Sequence, residues 1–132
     1  MDYDYINELK TPFLQPPPIV FRIVWPILYI LMFLSLYIFL GVGVNDNTIK
    51  TKGIIIFIIQ LTLNLIWSPI FFYYKKIFLA FCVAAALTAV VLVMIVYFYR
   101  VLPLAGLMNI PYFVWLLFAD YLNFQIWLLN RN

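Results

Sequence analysis

Four long apolar stretches, each separated from the next by a short polar or charged connection, take up almost all of this 132-residue chain. They run from about Ile19 to Leu40, Gly53 to Tyr73, Ile77 to Tyr99 and Ala105 to Leu129. A run of about twenty-two residues spans roughly 33 Å as a helix, enough to cross a hydrocarbon layer about 30 Å thick. No stretch alternates with the period of a barrel strand, and an isolated strand would leave its amides unpaired in lipid, so all four are expected to be helices. The connections around Lys75-Lys76 and from Arg100 to Pro103 are too short for anything but antiparallel neighbours. The predicted architecture is an all-α integral membrane protein, an antiparallel bundle of four transmembrane helices. Residues 1–18 form a polar and then proline-rich segment ending in Pro16-Pro17-Pro18, which favours an extended polyproline path lying across one mouth of the bundle.

Composition narrows the picture further. Hydrophobic residues make up 67% of the chain and charged residues 10%, too little polar surface to cover a water-soluble core. Asp2, Asp4 and Glu8 stand where a cleavable signal would be basic, so the first span is expected to stay in the protein. Lys10, Lys75, Lys76 and Arg131, with Arg22 at the edge, fall on one side; Lys50, Lys52 and Arg100 fall on the other. This bias favours cytoplasmic termini. The net charge of +3 is scattered over the connections and forms no stripe that could follow a phosphate backbone, so no nucleic-acid partner is expected. There is no histidine, and Cys82, read as a small core residue, is the only cysteine. Metal sites, thiol catalysis and histidine-ligated haem therefore have no residues to build on, and no catalytic group or cofactor is assigned.

What remains is a set of aromatic and amide side chains at membrane depth. Trp25 and Tyr29, Asn64 and Trp67, and Trp115 and Ala119 form three pairs, each sharing a helix face through three- or four-residue spacing. An amide or indole gains little from facing lipid in midspan, so these faces are expected to point inward. Pro26, Pro69 and Pro111 each remove a helix hydrogen bond and are expected to kink their spans and open space inside. Ala80, Ala84, Ala85, Ala86, Thr88 and Ala89 give the third helix a small-residue surface, suited either to an internal seam or to a homodimer contact. Asp120 and Arg22 are expected to pair, because a lone midspan carboxylate costs several kcal/mol. Asp120 lies about 140° around its helix from Trp115, outside the expected pocket.

The blocks carrying these residues resemble a known family. Pro12-Phe13-Leu14-Gln15-Pro16-Pro17-Pro18 with Trp25 and Tyr29, Gln60-Leu61 with Asn64-Leu65-Ile66-Trp67-Ser68-Pro69, and Pro111-Tyr112 with Trp115, Phe118-Ala119 and Leu122-Asn123-Phe124 are similar, in order and spacing, to the translocator protein family. This family is also known as the tryptophan-rich sensory proteins or peripheral benzodiazepine receptors. The resemblance implies a membrane receptor that binds tetrapyrroles of the porphyrin or haem type, and sterols or synthetic aromatic ligands, inside the helical bundle, with a role in their transport or in stress-related regulation. The ligand-binding positions it implies are Trp25, Tyr29, Asn64, Trp67, Trp115 and Ala119. It also implies a mitochondrial outer membrane location for eukaryotic members and the cell envelope for bacterial ones. In some bacterial members photo-oxidative porphyrin breakdown is attributed to pocket tryptophans, for which Trp25 and Trp115 are the matching residues. A small transporter using Asp120 and a ligand-free membrane scaffold are the other readings.

Two departures from the family pattern bear on these expectations. The family has five spans, and the helix that precedes its proline-rich loop has no counterpart in the eleven or so residues ahead of Pro12. The sterol-recognition pattern of the family's last helix is interrupted, with Phe124 and Leu128 in place of its tyrosine and arginine. A looser match, Val93, Tyr97 and Arg100, occurs in the third span.

Overall fold

The computed structural model describes residues 15–43 and 47–130. Within them the chain is a helical bundle with four helices long and apolar enough to cross a membrane. These are α1 (Pro18–Gly41), α2 (Thr48–Ser68), α3 (Ile77–Val101) and α5 (Ile110–Asn130), the last preceded by the short helix α4 (Pro103–Leu107). The protein is an integral membrane protein, and its outer surface fits that role. Ile19, Ile23, Ile27 and Ile30 line α1 with more than half of their surface exposed, as lipid-facing side chains would be. Most of residues 1–18, including the loop expected across the bundle mouth, lies outside the described residues.

Helix ends and lipid boundaries do not coincide, which shifts two of the expected limits. The second helix begins at Thr48 and not at Gly53, because the polar turn Thr48-Ile49-Lys50-Thr51-Lys52 is helical although it is not apolar. Lys50 Nζ from that turn donates to the Leu40 carbonyl at 3.0 Å, placing a cation at the negative end of α1. The fourth span begins with α4 at Pro103 and is interrupted before Ile110. Asn109, fully buried, holds this break by donating from Nδ2 to the Ala105 carbonyl at 3.1 Å and to Ser35 Oγ on α1 at 2.8 Å.

The three prolines act differently from one another. α1 continues through Pro26, which has no amide hydrogen to give to the helix. Pro111 sits in the first turn of α5, where no helical bond is lost. At Pro69 the α-helix gives way to a wider π-helical turn, Pro69–Tyr73, with Tyr74 N–H bonded to the Pro69 carbonyl at 2.9 Å and Lys76 N–H to the Ile70 carbonyl at 3.0 Å. Lys75, at a left-handed φ of 57°, then ends the helix.

α3 is the centre of the bundle. Ala80, Ala84 and Thr88, four residues apart, are buried and let α2 and α5 approach closely. Ala85, Ala86 and Ala89 lie on the exposed side, and so does Cys82, which is not the core residue expected. α4 lies directly on α3: a Cβ built on Gly106 would stand 2.7 Å from Tyr99 Cβ and 2.9 Å from the Ile95 carbonyl oxygen. The backbone of α1 keeps farther from α2 and is joined to it by side chains, among them Phe33 against Phe57, while Phe39 stacks on α3's Phe98, 4.2 Å apart and 13° from parallel.

Candidate functional site

Where α1, α2 and α5 face one another, three indoles gather with phenyl rings and amide side chains. Trp25 meets Trp115 edge to face at 6.3 Å, and Phe21 meets Trp115 in the same way at 5.6 Å. The widened turn after Pro69 brings Phe71 flat against Trp67 at 5.1 Å, with Phe72 edge-on to the same indole at 5.8 Å. Between these rings lies a hollow of about 40 Å³, lined by Trp25, Trp67, Trp115 and Ala119 together with Gln15, Phe21 and Asn123. A second hollow of about 30 Å³ adjoins it, lined by Asn64, Ala84, Leu87 and Leu116 and sharing Trp25, Trp67 and Ala119 with the first. Each has room for about one water, far less than the several hundred Å³ of a typical small-molecule site. Trp25, Trp67 and Ala119 border both.

A chain of hydrogen bonds fixes the wall on the far side of Asn64. The Tyr29 hydroxyl donates to Asn64 Oδ1, Asn64 Nδ2 donates to Tyr112 Oη at 2.8 Å, and the Tyr112 hydroxyl donates to Gln60 Oε1 at 2.8 Å. Gln60 Nε2 ends the chain 3.3 Å from Met32 Sδ. Gln60 and Tyr112 are fully buried, so each bond replaces one that lipid could not supply. The amide of Asn123 ties the other end: it accepts from Trp67 Nε1 at 3.0 Å and donates to the Ile77 carbonyl at 3.0 Å. Two polar atoms at the first hollow lack such partners among the described residues. Trp115 Nε1 and Gln15 Oε1 are both buried and unbonded, one a donor and the other an acceptor.

Five of the six positions expected from the sequence therefore come together around the two hollows. Tyr29 is different: it borders an outer groove with Ile30, Phe33, Leu34 and Tyr37, and reaches the interior only through its hydroxyl. Gln60, Tyr112 and Asn123 were not among the expected site residues. Their spacing carried the signal, since Gln60 is one turn before Asn64, Tyr112 three residues before Trp115 and Asn123 four after Ala119.

The expected pairing of Arg22 with Asp120 does not form. Asp120 turns toward α3, where Oδ2 lies 2.6 Å from Thr88 Oγ1, itself 2.9 Å from the Ala84 carbonyl, and Oδ1 is buried without a partner. Arg22 is exposed on α1. The rotation that keeps Asp120 out of the hollow also aims it away from α1, which meets α5 on the Trp115 face. Among the described residues no cluster of His, Cys, Asp or Glu could hold a metal ion.

Known proteins resemble the chain over nearly its whole length. The sequence profile of the TspO/MBR family matches residues 2–128. The chain is 34% identical over 126 residues to protein CrtK of Rhodobacter capsulatus, covering 96% of this chain and 78% of that protein. It is 38% identical over 123 residues to the tryptophan-rich protein TspO of Archaeoglobus fulgidus, covering 92% and 77%. Against the human translocator protein the identity is 32% over 127 residues, covering 94% and 73%.

Proposed function

The chain belongs to the TspO/MBR family, and on that footing we propose that it is a membrane receptor for a flat, largely apolar ligand of the tetrapyrrole class, held among α1, α2 and α5. The observation that carries this reading is the indole-lined hollow at Trp25, Trp67 and Trp115, with the Trp115 N–H buried and unbonded beside it. Aromatic faces suit a planar macrocycle, and an unused donor suits a carbonyl or carboxylate on its rim. The two hollows are together far smaller than a tetrapyrrole, so binding must displace Trp25 or Trp67 and also move a helix outward. α1 is the element best able to yield, because side chains and not close backbone contact join it to α2. Sterols suit the site less well, since the recognition pattern of the last helix is broken at Phe124 and Leu128.

The test is quenching of tryptophan fluorescence by protoporphyrin in detergent-solubilised protein. Saturable quenching is expected, and the double substitution Trp25→Ala with Trp115→Ala should weaken affinity at least tenfold, as removal of two stacked aromatic contacts would. Equal affinity in the double variant would move the ligand elsewhere. No saturable binding by the intact chain would leave the scaffold reading standing.

A further inference from the structure

On the membrane-boundary side of the bundle that carries Lys75 and Lys76, a depression of about 300 Å³ opens between the α2–α3 connection and the end of α5. It is far from the indole hollow in character. Its lining combines two lysines, the amide side chain of Asn130 and the indole of Trp127 with the apolar Phe78 and Leu79. Phe78 and Trp127 pack at 4.8 Å, 44° from parallel, so α3 and α5 together build one aromatic wall. Lys75, at the left-handed φ that follows the π-helical turn, and Lys76 are both exposed.

We propose that this depression is a head-group site for an anionic glycerophospholipid. The phosphate would lie against Lys75 and Lys76, the glycerol region against Trp127 and the first acyl carbons along Phe78 and Leu79. Three features select this occupant over a soluble anion. The cations fall in the short connection between two spans, Thr48–Tyr73 and Ile77–Val101, and a connection between spans that cross the hydrocarbon layer meets the head-group region. An indole at that depth prefers the head-group region. The wall continues from polar to apolar within one helical turn, which matches a lipid and serves no purpose for free phosphate. Each lysine near an anionic surface contributes about a kcal/mol of attraction, so the pair should favour anionic over zwitterionic lipid by roughly thirtyfold.

The full chain, reconstituted in vesicles of equal parts phosphatidylglycerol and phosphatidylcholine and then extracted in mild detergent, would be weighed with its retained lipid by native mass spectrometry. Retention dominated by phosphatidylglycerol is expected, falling to parity in the Lys75→Gln, Lys76→Gln double variant and persisting in Lys75→Arg, Lys76→Arg. Inorganic phosphate should not displace the lipid. Parity in the unsubstituted protein, an unchanged preference in the glutamine variant, or displacement by phosphate alone would each overturn the assignment. Porphyrin binding should be the same in all three proteins, which separates this site from the hollow.

Discussion

The two halves of the bundle are built on opposite rules. Around α3, small residues bring backbones together: Ala80, Ala84 and Thr88 under α2 and α5, and Gly106 of α4 against Tyr99. Around α1, large residues hold backbones apart and bridge the gap with rings and hydrogen bonds, Tyr29 to Asn64 to Tyr112 to Gln60. In lipid there is no hydrophobic drive for helices to associate, so close packing and satisfied polar groups must do the work. The first half uses packing and yields a tight scaffold. The second uses polar bridges and leaves small voids beside Trp25 and Trp67, so the hollow arises where the backbones could not close.

The tight half should break most sharply at Gly106. Substituting alanine puts a methyl group against backbone atoms of α3 that cannot rotate aside, and the expected loss is about 2–3 kcal/mol in thermal or denaturant unfolding in detergent. Gly53→Ala provides the contrast, since the three atoms nearest its new methyl all belong to the outer edge of the Phe39 ring, the closest at 2.5 Å, and not to backbone. It should cost less, and Gly41→Ala, with nothing within 4 Å, should be close to neutral. Equal losses at Gly106 and Gly41 would mean that α4 does not rest on α3.

In the bridged half, Tyr112→Phe removes one hydroxyl and strands two partners, Asn64 Nδ2 and Gln60 Oε1. A loss of about 1.5 kcal/mol is expected, near the upper end of what single polar contacts contribute inside membranes. Tyr29→Phe strands only Asn64 Oδ1 and should cost less. If the order were reversed, the bond at the outer groove and not the buried centre would hold α1 in place. A smaller effect, about 1 kcal/mol, is expected for Trp67→Phe, which keeps the ring against Phe71 but gives up the bond to Asn123. Because Asn123 also anchors the start of α3 through the Ile77 carbonyl, the change should be read in the unfolding of α2 and α5 together, for which hydrogen exchange of their amides is the measurement.

The number and class of the spans were legible in the chain because lipid imposes a length and an apolar composition that few other structures satisfy. Helix limits were less legible: Thr48 to Lys52 is helical though polar, and hydropathy reports the lipid boundary and not the last hydrogen bond. The inward faces could be read from three- and four-residue spacing, which is why Trp25, Asn64, Trp67, Trp115 and Ala119 come together. What spacing along one helix cannot supply is the rotation of that helix against its neighbours. That rotation decides that Tyr29 borders an outer groove and that Cys82 is exposed.

The same limit governs Asp120, and it leads to the smallest predicted effect. Charge alone suggested Arg22 as its partner, yet the carboxylate lies on the tight side of the bundle, within hydrogen-bond distance of Thr88 on α3. Removal of each side chain should therefore act independently. In a double-mutant cycle of thermal stability in detergent, Arg22→Ala and Asp120→Ala should add to within about 0.5 kcal/mol. Thr88→Val with Asp120→Ala should instead show coupling of about 1 kcal/mol, since either change alone removes the shared bond. Coupling to Arg22 larger than coupling to Thr88 would require α5 to be rotated from the orientation described, in which Asp120 meets Thr88. Such a rotation would also carry Trp115 away from Trp25, so this small number tests the placement of the indoles as directly as it tests the carboxylate.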